Sequence, residues 1–278
     1  MTSREEALKN PIFPALKKVG QTPGEGIRTW AHGLCFHNQN LLNGLKSNVA
    51  NPAKREAILN DLWNSVYSIV PKRVSEVLGI ETKPNVDKIS KLLSDIMNDE
   101  KHPAIQAMGD SIEEALVNWL KAFTFYDWST YTYLERHLGA KDALKIYMGL
   151  WESFALGPLE DMKKLFGIKE ASDIDMDVLG KLSRAYWESI ACPYHITQHT
   201  KDIHEAELEF CAYYAVMKDV LGEEKARSMT LKTEAIVSVN YYDAILKALG
   251  VFDKFSFTMD KFICCGDNCC RVRFERRK

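Results

Sequence analysis

Residues 255–276 read FSFTMDKFICCGDNCCRVRFER. Two arms alternate in polarity around the turn signal Gly266-Asp267-Asn268. On the first arm Phe255, Phe257, Met259, Ile263 and Cys265 share one parity, and Ser256, Thr258, Asp260 and Cys264 share the other. On the second arm Cys270, Val272 and Phe274 oppose Cys269, Arg271, Arg273 and Glu275. Side chains alternate across a strand, so each arm has an apolar and a polar face. A two-residue turn at Asp267-Asn268 pairs Cys265 with Cys270 and Ile263 with Val272. That register joins the apolar sets, and a one-residue slip does not. Lys261 and Phe262 interrupt the alternation. The same register predicts Cys265 and Cys270 toward the core. Cys264 and Cys269 then face outward beside Arg271 and Arg273, whose charge makes thiols reactive. A vicinal or cross-strand disulfide is the alternative.

Upstream of this hairpin, residues 187–221 read WESIACPYHITQHTKDIHEAELEFCAYYAVMKDVL. Ile190 to Thr197 alternates like a strand that is interrupted at Pro193, which suits an edge. From Thr200 onward Ile203, Ala206, Phe210, Tyr213, Met217 and Val220 step by three and four, which predicts a helix. On that helix Glu207 and Cys211 are neighbours. Three readings fit the cluster. One is a thiolate nucleophile, Cys192 or Cys211, beside a histidine base. Another is a zinc or iron site drawn from Cys192, His195, His199, His204, Glu207, Cys211 and tail cysteines such as Cys269. The third is reduced, partly buried cysteines beside surface histidines. No CxxC, HExxH or GxSxG motif is present.

The rest of the chain reads as helix. Residues 1–26 carry Pro11, Pro14, Pro23, Gly24 and Gly26 and read as a loosely packed arm. Helical stripes follow through residue 166, and 168–175 reads as a linker. The expected organisation is therefore an arm at 1–26, a helical region at 27–175 and an α+β region at 176–278. The fold class is α+β, with a helix-rich N-terminal two-thirds packed on a small antiparallel sheet closed by the C-terminal hairpin. The run Phe123, Phe125, Tyr126, Trp128, Tyr131 and Tyr133 reads as core, or as the wall of a pocket for a flat ligand, with Trp128 a candidate contact.

Composition limits the function classes. The formal net charge of −2 gives no field that calls for nucleic acid or an anionic membrane. No run of about 18 apolar residues exists to span a bilayer. The N-terminal residues MTSREEALKNPIFPALKK are charged throughout, unlike a signal peptide. With seven cysteines, an odd number, the expectation is a reducing cytoplasm and free thiols.

The segment CPYH at 192–195, Cys211 and the ending GDNCCRVRFER resemble the L-2-amino-thiazoline-4-carboxylate hydrolase family over residues 185–278. Asn240-Tyr241-Tyr242-Asp243 fits the start of that family's helix, and Gly266, Asp267 and Cys270 fit its closing hairpin. The resemblance implies a ligand-enclosing domain that opens a C–N or C=N bond in a nitrogen–sulfur heterocycle. Cys192 is then the candidate nucleophile, His195 or His199 the base, and Glu207 the group that orients it. Cys211, Gly266, Asp267 and Cys270 would line the pocket. Cys192 and His195 point to opposite faces of a regular strand, which favours His199 or a strand broken at Pro193. Vinyl-reductase-type ligand-binding domains end in a similar Gly-x-x-x-Cys hairpin, which implies the alternative of a non-catalytic ligand or metal sensor. No cofactor is required by either reading. Zinc or iron at His199, His204, Cys211 and Cys269 stays open, as does homo-oligomerisation. The expected partner is a small molecule.

Overall fold

The computed structural model describes residues 3–230 and 234–278. The chain divides into two compact units, Met1–Leu150 and Trp151–Lys278. The division falls inside a helix, whereas the sequence places it at residue 175.

The N-terminal unit is helical. Its elements are α1 (Ser3–Ala7), α2 (Ile12–Val19), α3 (Pro23–Asn48), α4 (Pro52–Ile69), α5 (Lys72–Leu78), α6 (Val86–Asn98), α7 (Pro103–Ala107), α8 (Ile112–Leu138) and the first part of α9 (Ala140–Leu156). The expected loose arm is ordered helix instead, because Ile12, Ala15 and Leu16 are buried. Its prolines sit at helix starts, where the missing N–H costs nothing. Thr22 and Glu25 form a reciprocal capping box that starts α3 four residues earlier than its apolar stripe does. α3 and α4 both pack on α8. α8 carries the aromatic run, and Phe123, Phe125 and Tyr126 are fully buried core.

The C-terminal unit is α+β. After the rest of α9 come α10 (Leu159–Leu165), α11 (Met176–Ser189), β1 (Tyr194–His199), β2 (Ile203–Leu208), α12 (Ala212–Leu221), α13 (Glu223–Thr230), α14 (Glu234–Ala248), β3 (Phe255–Lys261) and β4 (Cys270–Arg276). The strands form an open antiparallel sheet in the order β1-β2-β4-β3. Ala206, Leu208, Cys270, Val272, Phe274, Phe255 and Phe257 form its inner face. α11 packs against β2 and β4, and α14 against β3. The outer face is charged. Arg273 meets Glu205 at 3.1 Å and Glu275 at 3.3 Å, Lys261 meets Glu207 at 3.4 Å, and Arg271 pairs with Asp260.

Two expectations are corrected. Residues 203–208 are strand, not helix. IHEAEL fits both periods, and the strand period becomes visible only when His204 is counted with Ala206 and Leu208 as inward-facing. Pairing with strands on both sides overrides the helical propensity of Glu-Ala-Glu-Leu. The hairpin forms, but Val272 pairs with Met259 rather than Ile263. A register shift between Met259 and Lys261 ends the ladder early, and Ile263–Cys265 makes a turn of 3₁₀-helix. The Asp267 carboxylate accepts from the Phe262 N–H at 2.8 Å and stabilises this longer connection. Cys264 and Cys269 are consequently buried and Cys265 is half-buried, the reverse of the expected faces for three of the four thiols. All seven cysteines are free thiols.

Candidate functional site

The segment joining α11 to β2 positions most of the candidate residues. α11 ends in a tight turn, with Cys192 N–H donating to the Trp187 carbonyl at 2.9 Å. Ala191 in that turn has φ 54°, a left-handed conformation that a non-glycine residue adopts only at a cost. The turn seats Cys192 in the core, where its thiol donates to the Phe210 carbonyl at 2.9 Å. Burial, then Cys211 and Glu209, push this thiol well above the ordinary range. It is therefore a protonated, hydrogen-bonded group at neutral pH.

β1 then divides the two candidate bases. His195 is the Cα partner of Glu207, on the outer face of the sheet. A bulge between Ile196 and Gln198 shifts the register, so His199 becomes the partner of His204 and lies with the inward set. The proposed quartet of Cys192, His195, His199 and Glu207 is thus divided between the two faces.

The inner face holds a chain of polar contacts instead. The Asp177 carboxylate, in the first turn of α11, lies 2.8 Å from His199 Nε2. His199 Nδ1 lies 3.0 Å from His204 Nδ1. His204 is 2 % exposed, and its Nε2 has no hydrogen-bond partner. Burial first, then the His199 and Arg184 charges, lower this histidine to about 4. Gly180 makes the arrangement fit, because a Cβ there would stand 3.2 Å from His204 and 3.4 Å from His199. The His204 ring lies parallel to Trp187, with centroids 6.0 Å apart.

Trp187 connects the histidine to an aromatic group on α14. Its indole N–H donates to the Tyr242 hydroxyl at 2.7 Å. Tyr242 stacks on Phe257 at 4.1 Å and meets Phe274 edge-on at 5.7 Å. Burial dominates the environment of Tyr241 and Tyr242 and raises both phenols. Cys192 and Cys270 lie close enough to Tyr242 to add to its rise.

The remaining candidates have local duties. Cys211 is the N-cap of α12, its sulfur accepting the Tyr214 N–H at 3.4 Å. Cys270 sulfur accepts the Ile263 N–H at 3.3 Å. Cys269 is raised by burial and by Glu207. Gly266 has φ +104°, and a Cβ there would meet the Arg227 guanidinium at 2.0 Å. Trp128 is half-buried on α8 of the N-terminal unit. His199 and His204 meet through their Nδ1 atoms while Cys211 caps a helix. Among the described residues no group of three or more His, Cys, Asp or Glu side chains is arranged to hold a metal ion.

Asp177, Gly180, Trp187 and Tyr242 escape the sequence reading as site residues. Asp177 resembles any acidic residue of a first helical turn, and nothing local marks Gly180. The signal for Trp187 and Tyr242 was the aromatic content of α11 and α14. No helix among the described residues is long and apolar enough to cross a membrane. No family model, no curated protein and no solved structure matches the chain.

Proposed function

We propose that the C-terminal unit binds a small flat heterocycle against the inner face of its sheet. In this reading a ligand N–H or O–H donates to His204 Nε2, and Trp187 and Tyr242 supply the apolar and aromatic surroundings. The single observation that carries it is the unpartnered Nε2 of a histidine that is 2 % exposed. A buried acceptor without a donor costs about 1–3 kcal/mol, and a ligand donor recovers that cost. The resemblance to the thiazoline hydrolases adds a reaction, ring-opening hydrolysis of a C–N or C=N bond. The geometry favours water over the Cys192 thiol as its nucleophile, since that thiol is committed to the Phe210 carbonyl. A second reading, a ligand sensor without turnover, is favoured by the lowering of His204 to about 4, which makes the isolated ring a weak base.

The test is calorimetric titration with 2-amino-2-thiazoline and its 4-carboxylate, followed by a ring-opening assay on both. Binding to the wild type, and its loss in His204→Leu, are expected. Equal binding by the variant removes the assignment. Binding without turnover selects the sensor.

A further inference from the structure

The contacts of Asp177, His199 and His204 determine where the protons lie. A carboxylate only accepts, so His199 Nε2, 2.8 Å from Asp177 Oδ1, carries a proton. In a neutral His199 ring Nδ1 is then the lone pair. The 3.0 Å contact between the two Nδ1 atoms requires one proton, and His204 Nδ1 must supply it. His204 Nε2 is left as a lone pair in the interior, where it has no partner.

We propose that Asp177, His199 and His204 form a proton relay that makes His204 Nε2 an acceptor for the proton of a bound N–H or O–H group. This rests on the ligand site proposed above and assigns that site its chemistry. The step balances without a further reactant. The donor's X–H bond breaks and a new N–H bond forms at His204 Nε2, while the electron pair stays on X. His204 Nδ1–H passes its proton to His199 Nδ1. His204 ends neutral with its proton on the other nitrogen, and His199 ends as imidazolium beside the Asp177 carboxylate.

The positive charge never resides on the buried ring. It appears on His199, whose side chain is 38 % exposed, opposite an Asp177 side chain that is 70 % exposed. Arg184, on the same helix as Asp177, opposes a charge on His204 and so favours its outward transfer. The transferred charge therefore ends at the solvent side of the chain of contacts and not on the buried ring. Substrates fitting this arrangement are small molecules with an acidic N–H or O–H, or ones whose carbon is attacked by a water that gives up its proton. His204 is the catalytic residue, and Asp177 and His199 are positioning residues.

The experiment is nitrogen-15 NMR of the full chain labelled in histidine, with and without 2-amino-2-thiazoline. At neutral pH the free protein should show His204 protonated at Nδ1 and bare at Nε2. Asp177→Ala alters an exposed side chain and leaves the Asp175 N-cap of α11 in place. In this variant the His204 signals should move to the average of two tautomers, and the affinity for 2-amino-2-thiazoline should fall about tenfold. An Nε2–H tautomer in the free wild type, or a His204 pattern unchanged by Asp177→Ala, overturns the relay whether or not the heterocycle binds. Absence of binding with the expected tautomers upholds the relay and sinks the heterocycle reading instead. Binding that leaves His204 Nε2 unshifted overturns its role as acceptor.

Discussion

Each unit buries a histidine, and the two are used differently. In the N-terminal unit His37 on α3 is fully buried, with Nε2 3.0 Å from Oδ1 of the equally buried Asp127 on α8. The Tyr147 hydroxyl donates to the other oxygen of that carboxylate at 2.6 Å. Phe123 and Tyr126 meet the His37 ring edge-on, both at 6.0 Å. Polar groups there meet one another inside apolar packing. In the C-terminal unit the chain of contacts instead begins at an exposed carboxylate and ends at a buried nitrogen without a hydrogen-bond partner. A buried histidine that faces a buried carboxylate ties helices together. One that is wired outward and left with an unsatisfied buried nitrogen has a feature that packing alone does not require.

The largest effect that can break this comparison belongs to the N-terminal unit. Asp127→Ala removes the carboxylate that faces His37 and that accepts from Tyr147. Leaving a buried polar group without its partner costs about 1–3 kcal/mol for each such group. Hydrogen exchange of the α8 amides in the full chain measures it. A loss below about 1 kcal/mol would mean that the His37–Asp127 contact does not secure the helices.

Acid supplies the second effect. His204 is lowered to about 4 in the folded chain, against about 6.5 in an unfolded one. The unfolded state therefore binds this proton more readily than the folded state. The stability that the neutral ring contributes is complete above about pH 6.5 and is lost as pH falls toward 4. The difference corresponds to at most about 3 kcal/mol. His204→Leu should remove this part of the acid sensitivity, because leucine has no proton to gain. Urea unfolding of wild type and variant at pH 7 and pH 4 separates it from the carboxylates common to both. Equal acid loss in the two proteins would mean that His204 is not held neutral by burial.

How much of this was legible in the sequence follows from the range of each interaction. The fold class and the tail hairpin were legible because alternation at Phe255, Phe257, Val272 and Phe274 is local. The register was not, since it depends on Asp267 capping Phe262 across the turn. β2 was missed because Ile203, Ala206 and Phe210 also satisfy a helical period, and only pairing with β1 and β4 decides between them. The preference for His199 over His195 rested on the opposite parity of Cys192 and His195, but His195 and His199 share parity, and only the irregularity between Ile196 and Gln198 puts them on different faces. His204 was seen as a metal candidate and not as a buried acceptor. Its partner His199 lies 5 residues away and the Asp177 that faces His199 lies 22 residues from that ring, separations that no spacing rule connects. The His37–Asp127 pair spans two helices and leaves no local signature.

The smallest effect sharpens the comparison at the thiol. Cys192→Ala removes one buried hydrogen bond, to the Phe210 carbonyl, and a single sulfur atom from the core. The expected cost is about 1 kcal/mol. The same carbonyl was never part of the chain from Asp177 to His204, so heterocycle binding should stay within about twofold of wild type on a scale where tenfold is 1.4 kcal/mol. If ring opening occurs, its rate should also persist, because a thiol raised by burial and held by a backbone oxygen supplies little thiolate. The measurement is a paired calorimetric titration and rate comparison of Cys192→Ala and His204→Leu. A hundredfold loss of rate in the cysteine variant, with binding intact, would place the thiol in the chemistry. The open nitrogen of His204 would then be a neighbour of the reactive group and not its base. Retention of rate in the cysteine variant, with loss in the histidine variant, assigns proton transfer to the relay and leaves Cys192 with a packing role.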